Sequence, residues 1–346
     1  MLKNNLISVG YKKILDVYSS EIPEFLIPFL ESPVLLRMSD IGQTCGCHYS
    51  PLFEYKMNLS RFEHSLGVAL IIWNFTKSKK QTISGLLHDI SHSAFSHVGD
   101  FILGDPEHQE SSEKFISELI CGDDVITSEL KSLSIEIGEI EDYEIYPIAD
   151  NPGPQLSADR LEYNLSSPFI LGCLTADDIA EIYNDLIIGK DENKQPELSF
   201  TTESLALKFG FLSIENDSTL FSSHEAVFTM TYLAEIIKKM LEIGEIKQTD
   251  LYRLGDTDVI SMMESSKDSS IRKAWSNYKT TKKINLQDTS DNNQGFISSK
   301  CKRRWVDPLI KKGNSYIRLS NISEDFKNRV EEHKNPKEVF IEIPSL

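Results

Sequence analysis

The sequence predicts a mainly α-helical protein with a small α+β region at its C-terminal end. Apolar residues recur at helical spacing over 81–92 and through most of 175–244, which is typical of helices that bury one face. Capping signals before other apolar runs support further helices. Strand-like runs are concentrated after residue 300.

Three segments follow from this pattern. Residues 1–263 are predicted to form a helical domain, and 301–346 a small α+β region. Between them, 264–300 is rich in Ser, Lys, Asp and Asn, which predicts a mobile linker. A chain of 346 residues is long enough to bury a large core.

Local signals place the elements before residue 170. A capping box of Ser60 and Glu63 begins a helix that runs to about residue 75. Ser157 caps a helix that carries Asp159. The remaining predictions are short helices near 24–30 and 34–38, a hairpin or loop over 43–59, a helix over 81–92 and a possible strand at 143–148.

The second half of the chain follows the same logic. Long apolar periodicity predicts helices, and β-branched runs bounded by Gly or Asn predict strands. The predicted helices are 179–186, 221–243 and 324–332, and the predicted strands are 304–310, 316–319 and 339–343.

The charge balance excludes two classes of partner. With 36 Lys and Arg against 53 Asp and Glu, the chain has a formal net charge of −17. This argues against general binding to nucleic acid or to a membrane surface, because both need clustered cations. A small phosphorylated substrate remains compatible, because local cations and a metal ion can hold it inside an acidic protein.

The cysteines bear on the compartment. Five cysteines, odd in number and scattered, indicate a reducing environment, and no apolar run suggests a signal peptide or membrane span. We therefore expect a cytoplasmic protein. The run Cys45-Gly46-Cys47-His48 leaves a zinc site open as an alternative, although no second ligand pair follows at zinc-finger spacing.

Histidines are concentrated in one window. Of eight in the chain, five lie between residues 61 and 108: His64, His88, His92, His97 and His108. Imidazole and carboxylate are the usual ligands of catalytic divalent ions, so the cluster, with Asp89 beside it, predicts a metal site. The alternative is that each histidine is a separate structural residue.

Spacing predicts how the cluster is arranged. His88 and Asp89 fall on the helix predicted over 81–92, and His92, four residues after His88, shares its face. His97 cannot share that face unless the helix bends or ends between residues 91 and 96. Arg61 lies on the same face as His64 at a helix start, an arrangement that suits an anionic substrate.

Three motifs resemble one known family. They are Arg61-Phe62-Glu63-His64-Ser65-Leu66-Gly67, then His88-Asp89 with His92, Phe95 and His97, then Ala158-Asp159-Arg160. In this order they resemble the HD superfamily of metal-dependent phosphohydrolases, and within it the deoxynucleoside triphosphate (dNTP) triphosphohydrolase branch. Weaker likeness extends from 36–42 to 304–308, which covers most of the chain. The resemblance implies that the helical domain is an HD-domain core.

The resemblance also implies roles for individual residues. The metal ligands would be His64, His88, Asp89 and Asp159. This donor set suits Mn, Fe, Zn, Ni or Mg and leaves the identity of the divalent ion open. Proton transfer would fall to His92 and Asp100, with His97 and His108 as further catalytic residues near the phosphates, and the substrate would be bound by Arg61, Arg160, Tyr163, His97 and His108. Asp100 can also orient a neighbouring histidine.

Three departures from the branch bear on the substrate. Asp40-Ile41-Gly42 stands where the branch has Gln-Leu-Gly, Ser167 where it has an Asp, and Ser222-Ser223-His224-Glu225 where it has Tyr-x-His-Lys. A glutamate in place of that lysine would repel a triphosphate. We therefore expect an altered substrate pocket and weak activity on the standard dNTPs. The ppGpp hydrolase branch fits poorly, because its acidic pair after the HD doublet is missing here.

Two functional hypotheses follow. The first is a metal-dependent phosphohydrolase that acts on a nucleotide or a related small phosphorylated molecule. The alternative is a nucleotide-sensing or regulatory module with little turnover. The four-ligand set favours the enzyme, because a binding module has no need to keep it. A homo-oligomer is expected by analogy with the family alone.

Overall fold

A computed structural model of the chain is mainly α-helical, which confirms the predicted class. The structure describes residues 6–104, 107, 115–288 and 295–346. Its α-helices are α1 (Val9–Tyr18), α2 (Pro33–Met38), α3 (Arg61–Thr76), α4 (Lys79–Leu87), α5 (Val98–Leu103), α6 (Ile116–Gly122), α7 (Asp124–Ser132), α8 (Ala158–Leu171), α9 (Ala176–Asn184), α10 (Glu203–Asn216), α11 (His224–Glu242), α12 (Asp256–Ser265), α13 (Ser269–Tyr278) and α14 (Glu324–Lys334).

The strands form two small sheets, the first mixed and the second antiparallel. One has the order β1-β2-β5-β6, and the other has the order β3-β7-β4. The strands are β1 (Leu186–Lys190), β2 (Pro196–Phe200), β3 (Leu286–Gln287), β4 (Phe296–Ser298), β5 (Leu309–Lys312), β6 (Ser315–Arg318) and β7 (Phe340–Glu342).

Helix α3 is the centre of the main core. The predicted capping box begins it: Ser60 Oγ accepts from the Glu63 N–H at 3.2 Å, and Glu63 Oε2 accepts from the Ser60 N–H at 2.9 Å. Its residues from Arg61 to Ile72 are buried, and it packs against α1, α4 and α8. A helix buried on all sides holds its polar side chains in a fixed, dry environment.

A second core forms around α11, and it includes the segment predicted as a linker. In place of a linker, residues 269–278 form α13, which packs against α11 and α12. Its buried side chains, Ile271, Ala274, Trp275 and Tyr278, follow helical spacing. The polar residues that suggested a linker lie on the opposite face. The division into domains at residues 263 and 300 stays a prediction.

The C-terminal strands join the body of the protein. β5 pairs in parallel with β2, whose hairpin with β1 interrupts a region predicted as mostly helical. Arg318, at the end of β6, makes two bonds to the fully buried Glu197 of β2, at 2.6 and 2.7 Å. The last part of the chain is therefore fixed to the middle by a buried ion pair.

Several predicted boundaries are wrong. The helix predicted over 81–92 ends at Leu87, where the Ile90 N–H turns back to the Leu87 carbonyl at 3.2 Å and Arg37 takes the Ile90 and His92 carbonyls. Residues 143–145 form a 3₁₀ turn rather than a strand, and the strand predicted over 304–310 begins only at Leu309.

Across the described ranges, no helix has both the length and the apolar character needed to span a membrane.

Candidate metal centre and its cavity

Three elements bring the four predicted metal ligands together. His64 comes from the first turn of α3, His88 and Asp89 from the end of α4, and Asp159 from the first turn of α8. Asp159 Oδ1 lies 3.0 Å from His64 Nε2 and 3.6 Å from His88 Nε2. Asp89 lies 3.6 Å from His64 Nε2 through Oδ2 and 3.4 Å from His88 Nε2 through Oδ1.

These separations fit a shared divalent ion. Two ligands each about 2.1 Å from one ion, at angles between octahedral and tetrahedral, lie roughly 3.0–3.4 Å apart. Both imidazoles also present Nε2 to the centre, because each Nδ1 is occupied elsewhere. His88 Nδ1 bonds the Gly85 carbonyl at 2.7 Å, and His64 Nδ1 bonds the Glu162 carboxylate. Such partners fix the orientation of metal-binding imidazoles.

Glu162 is a candidate site residue that the sequence reasoning missed. It is fully buried on α8, one turn after Asp159, and it also accepts from the Tyr11 hydroxyl and from Ser166 Oγ, the latter at 3.2 Å. The three-residue spacing from Asp159 in Ala-Asp-Arg-Leu-Glu-Tyr was the available signal, because it puts both carboxylates on one side of the helix.

The electrostatics of the cluster call for a cation. Burial lowers the pKa of His64, but the carboxylates of Glu162, Asp159 and Asp89 outweigh it and raise the pKa to about 10. Burial would raise the pKa of Asp89, yet Arg61 and the neighbouring histidines hold it well below the usual range. Without an ion, a proton on His64 takes the place of a cation, so metal uptake must displace that proton.

The turn after Asp89 is held by long-range contacts. Arg37 donates to the carbonyl oxygens of Ile90 and His92, at 2.9 and 2.8 Å. Phe95 and Ser96 have φ values of 59° and 56°, and Asp256 Oδ1 accepts from the Phe95 N–H at 2.6 Å. These contacts reverse the chain and return His97 to the site, as the bend predicted between residues 91 and 96 requires.

His92 and His97 lie beside the ligand cluster, and both line the cavity in front of it. Their rings meet edge to face at 4.9 Å, and His92 Nε2 lies 3.1 Å from Asp89 Oδ1. Asp100 is fully buried behind His97 and bonds its Nδ1 at 3.0 Å, which places it to orient His97. Burial lowers the pKa of both histidines, that of His97 to about 3, so both are neutral at neutral pH.

The predicted substrate cations are both engaged with carboxylates. Arg61 donates through Nη1 to Asp89 Oδ2 at 2.7 Å and through Nε to Ser96 Oγ at 2.9 Å. Arg160 Nη1 lies 2.9 Å from Asp150 Oδ1. Both still line the cavity, as does Tyr163, whose pKa burial raises to about 12. His108 lies outside the described residues.

The metal centre opens into a cavity of about 780 Å³, a size typical of small-molecule sites. One wall comes from the 43–59 loop, which contributes Gln43, Cys45 and Tyr55. Gln43 Oε1 is buried and, among the described residues, has no hydrogen-bond partner, so it is an acceptor that a ligand can use. Aromatic side chains, including Tyr143, Tyr163 and Phe221, add stacking surface.

The opposite wall comes from residues 302–305, which we call the cationic segment. Lys302, Arg303, Arg304 and Trp305 all line the cavity. Sequence reasoning missed them, having placed a strand over 304–310. A run of three cations in a chain of net charge −17 was the signal available.

The three departures from the family pattern fall in different places. Ser167 lines the main cavity. Asp40 does not: its carboxylate accepts from Thr257 Oγ1 at 2.6 Å, at the start of α12. Glu225 lines a separate, smaller cavity with His224 and Arg329. The repulsion expected from Glu225 is therefore absent from the wall of the main cavity.

The cysteine-based zinc alternative gains no support. All five cysteines are free, and Cys45 and Cys47 both line the main cavity. Within the part of the chain that the structure describes, the tightest group of ligand atoms is that of His64, His88 and Asp89. Asp159 adjoins this group through both histidines, and neither cysteine belongs to it.

The sequence was compared with protein-family models and with known proteins. No family model matches the chain. It is 27% identical over 301 residues to an uncharacterized protein of Bacillus subtilis, covering 84% of this chain and 87% of that protein. It is 22% identical over 268 residues to a metal-dependent phosphohydrolase of Cordyceps militaris, and the match covers 75% of this chain and 74% of that protein.

One more distant relative in sequence and two solved structures are also similar to this chain. A Dictyostelium discoideum homolog of a deoxynucleoside triphosphate triphosphohydrolase is 22% identical, over 89% of this chain and 65% of that protein. A Bacteroides thetaiotaomicron phosphohydrolase structure has a TM-score of 0.69 at 17% identity, covering 94% and 97%. The structure of a hypothetical protein from Aquifex aeolicus has a TM-score of 0.66 at 17% sequence identity, and the match covers 92% of each chain. The whole fold is thus shared with a phosphohydrolase.

Proposed function

We propose that this chain is an HD-type metal-dependent phosphohydrolase that acts on a nucleotide or a related small phosphorylated molecule. The observation that carries the proposal is the convergence of His64, His88, Asp89 and Asp159 at the floor of a cavity that also presents cations. Relatives named as a metal-dependent phosphohydrolase and as a dNTP triphosphohydrolase homolog support it.

The donor set and its surroundings support the chemistry. A bound divalent ion supplies activation of a water molecule and neutralisation of charge on a phosphoryl group. Arg61 holds Asp89 in place, and Glu162 holds His64. His92 and His97 are neutral at neutral pH because burial lowers the pKa of each. With a pKa of about 3, His97 is a weak base that suits hydrogen bonding to the substrate, which leaves proton transfer to His92. Asp100 fixes the orientation of His97.

The contents of the cavity support a nucleotide over a smaller ester. About 780 Å³ accommodates a base and sugar as well as phosphate groups. Tyr163 and Phe221, whose rings meet edge to face at 5.4 Å, and Tyr143 offer aromatic surface for a base. Ser167, which stands where the dNTP branch has an Asp, lines this cavity, so we expect the standard dNTPs to be poor substrates.

The test is a substrate screen. Purified protein with Mn²⁺ is incubated with nucleoside tri-, di- and monophosphates, and release of phosphate, pyrophosphate and triphosphate is measured separately. We expect turnover of at least one class, lost in His88→Ala and on chelation of the metal. Absence of turnover across the panel, with metal bound and the protein folded, would contradict the enzyme and favour the alternative of a nucleotide-sensing module.

A further inference from the structure

The two walls of the main cavity carry different chemistry, and only one of them has a role in the proposed reaction. The metal-centre wall supplies Asp89 and Asp159, with Arg61 paired to Asp89. The cationic segment supplies Lys302, Arg303 and Arg304 from a part of the chain some 140 residues after Asp159 in sequence. A cluster of cations that lines the same cavity as a candidate metal site is suited to an anion with more than one charged group.

The three cations of the segment are not equivalent. Arg303 is turned toward α10 and the turn after it: its Nη1 bonds Ser222 Oγ and lies 3.5 Å from the fully buried Asp217. Arg303 also lines the smaller cavity. Lys302 is exposed and lies close enough to Glu144 for its charge to lower the pKa of that carboxyl, which burial and nearby acids raise. Arg304 is half-buried in the cavity wall.

Arg304 acts on groups from two sides of the cavity. Burial raises the pKa of the Cys45 thiol, and the positive charges of Arg61 and Arg304 both offset that rise. The charge of Arg304 also acts on the Tyr163 hydroxyl, together with that of Arg160. Arg304 also lines the same cavity as Cys45 of the 43–59 loop, Tyr163 of α8 and the candidate metal ligands, so its charge and that cavity belong to one site.

The cationic segment is held rigidly from both sides. The His333 ring of α14 bonds the Arg304 carbonyl at 3.1 Å. The Val306 N–H donates to Ser213 Oγ of α10 at 3.0 Å, and the Asp307 N–H donates to the Pro154 carbonyl at 2.9 Å. Backbone contacts of this kind reduce the cost of ordering the segment when a ligand binds, although the Lys302 and Arg304 side chains still lose rotamer freedom.

We propose that Arg304, assisted by Lys302, binds a phosphate group of the substrate other than the one held at the metal centre. A guanidinium offers paired donors that match phosphate oxygens. This assignment rests on the proposed function, and it deepens it: the preferred substrate carries at least two phosphate groups. It also reverses the charge expectation drawn from Glu225, because the main cavity gains cations where the sequence suggested repulsion.

Binding of inorganic anions to the Mn²⁺-loaded protein tests this without turnover. Isothermal titration calorimetry compares pyrophosphate, which carries a second phosphate group, with orthophosphate, which needs the metal centre alone. We expect Arg304→Gln to weaken pyrophosphate binding about 10- to 100-fold, the scale of a lost charged hydrogen bond, and to change orthophosphate binding by less than about threefold. Lys302→Gln should have a smaller effect in the same direction.

Two further variants guard the interpretation. Lys300→Gln is the matched control, because Lys300 is exposed, lies two residues before the segment and pairs with Glu338; it should leave both affinities unchanged. Arg304→Lys keeps the charge but loses the paired donors, so it should fall between the wild type and Arg304→Gln. Circular dichroism establishes that each variant is folded.

The outcomes separate the two proposals. Pyrophosphate binding that is absent in the wild type, or equal in the wild type and Arg304→Gln, overturns the role of Arg304. If substrates are hydrolysed but Arg304→Gln leaves KM unchanged for di- and triphosphates, the proposed function stands and this inference fails. If pyrophosphate binding depends on Arg304 but no phosphate ester is hydrolysed, the binding site stands and the proposed reaction fails.

Discussion

The metal-centre wall and the cationic segment line the same cavity, yet the sequence marks them very differently. The first takes its side chains from recognisable motifs at the start of α3, just after α4 and at the start of α8, and buried partners such as Glu162 and Gly85 hold them. The second is a short extended run with common cations, positioned by contacts to α10 and α14. Tertiary packing assembles both walls, but only the first carries a distinctive motif in the sequence.

The largest effect should come from breaking the metal-centre wall at Asp89. Its carboxylate contacts Arg61, His64, His88 and His92, so Asp89→Ala removes a ligand and leaves Arg61 unpaired. We expect loss of bound metal and a fall in phosphate release on the order of a thousandfold or more. Elemental analysis and a phosphate assay measure both. Asp177→Ala, at an exposed position on α9, should change neither.

Breaking the buried ion pair between β6 and β2, next to the cationic segment, should lower the free energy of unfolding. Arg318→Met leaves the fully buried Glu197 without its partner, and loss of one member of a buried pair costs about 3–5 kcal/mol. Lys312→Met is the control, because its pair with Glu203 is exposed and contributes about 0–1 kcal/mol. Denaturant unfolding measures both. Equal stability of the two variants would mean that Arg318 does not hold this region.

A substitution at Glu162 tests how far the metal-centre wall depends on the carboxylate that orients His64. Glu162→Gln keeps the shape of the side chain but replaces the carboxylate that fixes His64 Nδ1. Loss of such a partner weakens metal affinity about 10- to 100-fold. Titration of Mn²⁺ into metal-free protein measures the affinity, with the exposed Glu215→Gln on α10 as control. An unchanged affinity would show that His64 needs no carboxylate to orient it.

The smallest effect concerns the 43–59 loop, which connects the two walls. Burial lowers the pKa of His48 from 6.5 to about 4. Below pH 6.5, His48 therefore binds a proton in the unfolded chain but stays neutral in the folded chain. The folded state loses stability for this reason as the pH falls toward 4. In His48→Gln this part of the loss should disappear, giving a shallower decline in unfolding free energy between pH 7 and pH 5. The same slope in both proteins would contradict it.

The contrast between the walls explains what the sequence could predict. The capping box of Ser60 and Glu63 was predictable because capping is a local property of the chain. The helical class was predictable for the same reason. The structure brings His64, His88 and Asp159 together, and their role as metal ligands stays a prediction. The end of α4 at Leu87 was not predictable, because the turn after it is held by the distant Arg37.

Long-range features lay outside the reach of local patterns. The polar composition of 264–300 hid the amphipathic face of α13, whose Tyr278 hydroxyl bonds the Gly46 carbonyl at 2.9 Å. The cationic segment likewise reaches the cavity through contacts with Ser213 and Pro154, which lie about a hundred residues or more earlier in the chain. Gln43, Glu162 and Arg304 are recognisable as site residues only once the helices are packed.

The central claim is that one divalent ion is held by His64, His88, Asp89 and Asp159 at the floor of the shared cavity. The most direct measurement is an anomalous difference map from crystals grown with Mn²⁺. The account predicts one dominant peak, roughly 2.0–2.3 Å from the Nε2 atoms of both histidines and from both carboxylates. A dominant peak at any other group of side chains, or an empty centre at saturating Mn²⁺, would contradict it.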